Sequence, residues 1–178
     1  MTKAIFFDRD GTLIKDNEYM FKPEQIEIFD GVKDALNELR QMGYSLFILS
    51  NQSGVARGYF TLKQAIEFND QFLEKLGVDK DFFADTCLAI ESSEVSDGYR
   101  KPSPKFVFES ARKFDIDLSK SFVVGDRKSD WQTAINAGAR PIAVTTGKPL
   151  GDDDFKLLSS INAPILISVA KLPDLLKQ

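Results

Sequence analysis

The chain of 178 residues has no histidine and a single cysteine, Cys87. The first absence excludes a Ser-His-Asp triad, a Cys-His dyad and an HExxH zinc site, all of which need an imidazole. The second excludes an internal disulfide and a cysteine-rich zinc site, and it fits a reducing compartment. No apolar run approaches the roughly 20 residues of a membrane-spanning helix. The run Ala4 to Phe7 is too short for the apolar core of a signal peptide, and no cleavage pattern follows it. The protein is therefore expected to be soluble and cytoplasmic, with no membrane partner. Basic charge is not in excess: 23 Lys and Arg stand against 27 Asp and Glu, for a net charge of −4. A nucleic-acid binder needs a cationic surface to displace counterions, so nucleic acid is not an expected partner. A small cationic pocket for an anionic metabolite is compatible with that balance.

What is present is ordinary for a globular protein, with 43% hydrophobic and 28% charged residues. Disorder, collagen and coiled coil are set aside. The length predicts one domain, 1–178, at about 150 residues per domain. Short apolar runs alternate with helical patterns along it. Strands are predicted at 3–7, 44–49, 86–90, 121–125, 141–145 and 164–168. Between them, Val32, Ala35, Leu36, Leu39 and Met42 form one helical stripe after Asp30-Gly31, closed by Gly43. Thr61 and Gln64 predict a capping box, and Gly77 ends that helix. Ser103-Pro104 read as an N-cap and a first-turn proline. Ser129 starts a further helix that stops near Gly138, and Asp152-Asp153-Asp154 read as the acidic first turn of a short one. Most of the 15 phenylalanines, and Trp131, are assigned to the core. Strand–helix alternation predicts an α/β fold, a parallel sheet covered on both faces.

In open parallel sheets ligands bind at the carboxyl ends of the strands. The first run is followed by Asp8-Arg9-Asp10-Gly11-Thr12, the second by Ser50-Asn51-Gln52-Ser53-Gly54, and the fourth by Asp126-Arg127-Lys128-Ser129-Asp130. Arg100-Lys101-Pro102 precedes the helix between them. Clustered carboxylates repel unless a cation sits among them, and oxygen ligands of this kind favour Mg²⁺. A lysine and a serine hydroxyl suit phosphoryl oxygens. Two carboxylates on one strand face can divide nucleophilic attack from proton transfer.

The set Asp8-x-Asp10-Gly11-Thr12, Ser50-Asn51, Lys101-Pro102 and Gly125-Asp126-x-x-x-Asp130 resembles the four motifs of the haloacid-dehalogenase superfamily, phosphatase branch. DRDGTL, FDGVKDAL, SNQSGVARGYF, RKPSP, GDRKSD and TGKP are similar to the corresponding stretches of the heptose bisphosphate phosphatases, and the histidinol-phosphate phosphatases share that layout. The resemblance implies a three-layer Rossmann-like fold without a large cap domain. It implies Asp8 as nucleophile, forming an aspartyl-phosphate, and Asp10 as acid and then base. Asp8, the Asp10 carbonyl and Asp126 would bind Mg²⁺, supported by Asp130. Ser50 and the Asn51 backbone would hold the phosphoryl group, and Lys101 would neutralise its charge. Gln52, Arg57, Arg100, Arg127 and Lys148 are candidates for contacts with the rest of the substrate. That substrate is expected to be a small phosphorylated sugar, with the 7-phosphate of D-glycero-D-manno-heptose 1,7-bisphosphate removed by a monomeric enzyme.

One stretch departs from the pattern. The relatives carry a zinc loop of C-x-H…C-x-C form before the RKP motif, whereas here only Cys87 matches, with Ala89, Asp97 and Tyr99 in the other places. One thiolate cannot complete a tetrahedral site, so no zinc is expected. Loop 91–99 must then be held by packing or be mobile. The alternatives are a histidinol-phosphate phosphatase, against which Arg57 and Arg100 weigh as ligands for a second phosphate, and a nucleic-acid 3′-phosphatase, against which the acidic balance weighs. A receiver domain is disfavoured because its acceptor aspartate lies on a middle strand.

Overall fold

A computed structural model describes residues 1–95 and 97–177. Among the described residues there are six strands: β1 (Lys3–Phe7), β2 (Tyr44–Asn51), β3 (Asp85–Ala89), β4 (Phe122–Gly125), β5 (Arg140–Val144) and β6 (Ile165–Leu166). The helices are α1 (Val32–Gln41), α2 (Leu62–Leu76), α3 (Lys105–Phe114), α4 (Lys128–Ala137), α5 (Asp152–Ser160) and α6 (Leu172–Leu176). The strands form one parallel sheet in the order β3-β2-β1-β4-β5-β6.

Strand alternation builds the two faces. Ile5 and Phe7, Leu46 and Ile48, Phe122 and Val124, and Ile142 and Val144 join one apolar cluster with α1, α2 and Leu172 of α6. Ala4 and Phe6, Phe47 and Leu49, and Val123 point the other way, against Phe106 and Val107 of α3 and Ala134 and Ala137 of α4. Ala143 meets Trp131 of α4 and Leu158 of α5. Trp131 is fully buried, and its indole N–H donates to the Gly125 carbonyl at 3.0 Å.

The capping box at α2 is present: Gln64 N donates to Thr61 Oγ1 at 3.2 Å, and Thr61 N donates to Gln64 Oε1 at 2.8 Å. Three readings shift. Helix α3 begins at Lys105 with Pro104 as its cap residue, and Ser103 Oγ accepts from Lys105 N at a long 3.4 Å. Helix α4 begins at Lys128, one residue before Ser129. The last strand keeps only Ile165–Leu166, on a sheet edge with one neighbour, and the five-residue α6 is too short to show a stripe.

The chain runs outward from β1 through β2 to β3, then crosses to β4. The strand order therefore reverses between β1 and β4, and a crevice opens at their carboxyl ends.

Candidate active site

Asp8 leaves the end of β1 and Asp126 the end of the adjacent β4. Two glycines let the loops close on Asp126. A Cβ on Gly11, whose φ is 89°, would lie 2.7 Å from Asp126 Oδ2, and one on Gly147 would lie 2.0 Å from it. Asp130, in the first turn of α4, is buried and caps the helix by accepting from Arg127 N at 2.9 Å. Lys101 reaches in from the segment before α3. Its Nζ lies 2.8 Å from Asp8 Oδ1 and 2.6 Å from Asp130 Oδ1. The Asn51 side chain brings that segment in. Its Oδ1 accepts from Lys101 N at 2.9 Å, and its Nδ2 donates to the Lys101 carbonyl at 3.3 Å.

Asp10 faces differently. Its Oδ1 accepts from Arg9 Nε at 2.8 Å, while its Oδ2 accepts from Arg9 Nη2 at 3.1 Å and from Gln52 Nε2 at 2.8 Å. Ser50 Oγ is 3.5 Å from the same Oδ2 and accepts from Gln52 Nε2 at 2.9 Å.

The electrostatics follow from burial. Loss of water pushes the Asp8 carboxyl up to about 7; Lys101 opposes this, while Asp130 and Asp10 add to it. Burial, then the Asp8 charge, pushes Asp126 up to about 6, and burial also raises Asp130. Burial acts to lower Lys101, but Asp130 and Asp8 outweigh it and raise the ammonium. Burial acts to raise Asp10, but Arg9 and Gln52 outweigh it and hold the carboxyl below its usual range.

Asp8, Asp126 and Asp130 each offer an oxygen within 4.8 Å of the others. Lys101 pairs with Asp8 and Asp130, Arg127 Nε reaches Asp126 Oδ2 only at 3.8 Å and is shared with Asp16, and buried Asp126 Oδ1 has no hydrogen-bond partner. An orphaned acceptor in an under-neutralised set of hard oxygens fits a small divalent cation.

Asp8 and Lys101 open onto a cleft of about 300 Å³. Asp8, Asp10, Ser50, Asn51, Gln52, Arg100, Lys101, Arg127 and Lys148 all line it, with Asp126 and Asp130 outside the lining set. Arg57 is exposed and outside the lining too. Arg127 is ion-paired with Asp16, which sits in the loop after β1. That loop also supplies Glu18, Tyr19 and Met20 to the lining. Tyr19 stacks edge-on against Tyr59 with centroids 4.6 Å apart, and Phe21 stacks on Phe60 at 5.7 Å, so two loops close one rim. These residues and Arg9 escaped the sequence reading. The rim shows no motif or periodicity, and Arg9 resembles any other arginine until its burial is known.

The stretch leading to Arg100 is stitched by side chains. Tyr99 N donates to Glu91 Oε1 at 3.0 Å, and Tyr99 Oη donates to Glu109 Oε2 of α3 at 3.0 Å. Lys105 Nζ donates to the Asp97 carbonyl at 3.1 Å and lies 4.7 Å from the Tyr99 ring centre. Burial, then Glu91, pushes the Cys87 thiol up to about 12, which keeps it protonated. With Cys87 the one thiol, Ala89 without a donor atom and Tyr99 bonded to Glu109, this stretch does not supply the donor set of a tetrahedral zinc site. Ser96 of this loop lies outside the described residues.

Comparison with known proteins matches this geometry to a family. The family model described as polynucleotide kinase 3 phosphatase matches residues 3–170. The D-glycero-β-D-manno-heptose-1,7-bisphosphate 7-phosphatase of Pasteurella multocida is 37% identical over 184 residues, covering 99% of this chain and 98% of the relative. That of Yersinia pestis is 40% identical over 158 residues, covering 83% and 82%. A crystal structure of D,D-heptose 1,7-bisphosphate phosphatase from B. bronchiseptica, complexed with magnesium and phosphate, has a TM-score of 0.83 at 27% identity, covering 99% of this chain and 98% of that one. With its motif aspartates gathered at the β1–β4 crevice, the chain belongs to the polynucleotide kinase 3 phosphatase family of haloacid-dehalogenase-type phosphatases.

Proposed function

We propose that the protein is a Mg²⁺-dependent phosphomonoesterase that removes the 7-phosphate of D-glycero-β-D-manno-heptose 1,7-bisphosphate through an aspartyl-phosphate on Asp8. The observation that carries the chemistry is the buried set of Asp8, Asp126 and Asp130, with Lys101 bridging Asp8 and Asp130, beside a polar cleft that Asp8 and Lys101 line. The substrate is inferred from the relatives, which bear that name at 34–40% identity.

Both bonds to Asp8, from Arg9 N and Lys101 Nζ, fall on Oδ1. In this reading Oδ2, which takes neither bond, is the attacking oxygen. It forms the new bond to phosphorus while the bond to the sugar oxygen breaks. The phosphate dianion beside Asp10 favours the protonated carboxyl in the substrate complex; Asp10 gives that proton to the leaving oxygen, then takes one from the water that attacks the aspartyl-phosphate, releasing phosphate and regenerating Asp8. Lys101 stays beside Asp8 throughout and offsets charge on the transferring group. Ser50 Oγ offers a hydrogen bond to a phosphoryl oxygen. Mg²⁺, held by Asp8, Asp126 and the Asp10 carbonyl with Asp130 in support, supplies further neutralisation of the phosphoryl oxygens when bound. Arg100 and Lys148 are the cleft cations for the second phosphate. In the same reading the chain works as a single-domain cytoplasmic monomer without zinc.

The test is phosphate release with Mg²⁺ on heptose 1,7-bisphosphate, histidinol phosphate and a 3′-phosphorylated oligonucleotide, with Asp8→Asn as control. The expected result is a heptose preference above about tenfold in kcat/KM, roughly 1.4 kcal/mol, lost in Asp8→Asn. Comparable low activity on all three would overturn the substrate while keeping the chemistry. Full activity of Asp8→Asn would overturn the chemistry.

A further inference from the structure

Arg9 stands between the two motif aspartates, and the mechanism above gives it no role beyond its backbone N–H. It is fully buried and is not part of the cleft lining. Its guanidinium meets three side chains. Nε and Nη2 donate to Asp10 Oδ1 and Oδ2 at 2.8 and 3.1 Å. Nη1 donates to Asn69 Oδ1 at 3.3 Å, and the Phe68 ring centre lies 4.7 Å from the guanidinium carbon. Asn69 and Phe68 are neighbours on α2, and both are buried. A charge taken out of water is kept only where it is paired, and this one is paired with Asp10.

The two Asp10 oxygens are not equivalent. Oδ1 meets Arg9, whereas Oδ2 also meets Gln52 and Ser50, both of which line the cleft. Asp10 keeps 19% of its side-chain surface, which places part of the carboxyl in the cleft. A two-pronged fork resists rotation of the carboxyl plane, because turning it breaks two charge-assisted bonds together.

We infer that Arg9 is a positioning residue, anchored from α2 by Asn69 and Phe68, that holds Asp10 Oδ1 in place and presents Oδ2 to the leaving oxygen. The inference rests on the aspartyl-phosphate reading. In the substrate complex the phosphate dianion takes the place of Gln52 and favours a proton on Oδ2, and that proton goes to the leaving oxygen as its bond to phosphorus breaks. Oδ2 later takes a proton from the attacking water. Gln52 is the partner that Oδ2 exchanges for substrate, while Arg9 keeps its grip.

The experiment uses leaving-group dependence, which a general loss of structure would not move selectively. An aryl leaving group such as nitrophenolate departs without a proton, whereas an alkoxide needs one. The variants Arg9→Met, Arg9→Lys, Asn69→Ala and Asp10→Asn are assayed for kcat/KM on p-nitrophenyl phosphate. The second substrate is the fastest alkyl phosphate among heptose 1,7-bisphosphate, histidinol phosphate and glycerol phosphate. Arg9→Met is expected to lose about 100-fold on the alkyl ester and less than about fivefold on the aryl ester, the pattern of Asp10→Asn. Arg9→Lys should recover part of the loss, and Arg9→Met should cost nothing further in the Asp10→Asn background. Equal losses on both esters, or additive losses in the double variant, would overturn the inference. Should Arg9→Met not fold, Asn69→Ala decides. It keeps the fork and should lose about three- to tenfold on the alkyl ester alone; equal or absent losses would overturn the inference. Full activity of Asp10→Asn on the alkyl ester would instead overturn the underlying mechanism.

Discussion

Asp126 is a residue that burial sets against folding and that the proposed reaction needs as a metal ligand. Its Oδ2 accepts from Lys148 N at 3.0 Å, while its Oδ1 is buried without a partner beside two other carboxylates. An asparagine there would keep an acceptor for Lys148 N and would turn a donor toward Asp8. Asp126→Asn is therefore expected to stabilise the metal-free protein at pH 8 by on the order of 2 kcal/mol, or ~4–8 °C in Tm. The same change should abolish both the stabilisation by Mg²⁺ and the phosphatase activity. Thermal unfolding with and without Mg²⁺ checks it, and a lowered metal-free Tm would show that the carboxylate is not the strained member. At this scale the motif aspartates, Ser50 and Lys101 were legible because each follows an apolar run at a strand end or precedes a helix. Arg127 was legible as a cleft candidate but its ion pair was not, and Arg9 was not legible at all. The partner of Arg127 is Asp16, far away in sequence, and Arg9 depends on Asn69 of α2. Arg57 shows the reverse: a basic residue in a matching segment, yet exposed and off the cleft.

Elements carry these side chains, and the segment between β3 and α3 carries Arg100. Tyr99 fastens it at two points, through its backbone to Glu91 and through its hydroxyl to Glu109 on α3. Tyr99→Phe keeps the ring under Lys105 and removes only the bond to Glu109. If Arg100 serves the distant end of the substrate as proposed, KM for the bisphosphate should rise about three- to tenfold, with kcat on p-nitrophenyl phosphate unchanged. A fall in kcat with KM unchanged would count against that role. A zinc chelator added in the presence of Mg²⁺ should change neither constant. Helices α1 and α2 and the central strands were readable because stripe, cap and terminal glycine agree with one another. The last strand and α6 were not, since an edge strand with one neighbour and a helix of five residues have too few positions for a period to show.

For the whole molecule, the parallel sheet was legible because apolar runs without polar alternation mean burial on both faces, and the β1–β4 crevice then locates the site. The same burial makes stability depend on pH and metal together. Asp8 is raised to about 7 and Asp126 to about 6, and Asp130 is raised as well, against about 3.9 for an unfolded aspartate. Between those limits the native state keeps protons that the unfolded chain has released. Stability is therefore fully present below about pH 4 with respect to these groups and is lost as pH rises through 7. Asp10 is lowered, so its stabilising contribution is lost only below that window, and Lys101 is raised, so its contribution is lost only far above it. A cation that binds the ionised triad competes with those protons and offsets the loss. Without metal, Tm is expected to fall between pH 5 and pH 8. Mg²⁺ at about a hundred times its Kd should add roughly 2.7 kcal/mol at pH 8, or ~5–10 °C, and under about 2 °C at pH 5. Thermal scans across that range, with and without Mg²⁺, on the native chain and on Asp126→Asn, test the coupling directly. An equal Mg²⁺ shift at both pH values would mean that the ion binds elsewhere than among the three carboxylates, because only ionised carboxylates make its affinity follow their titration.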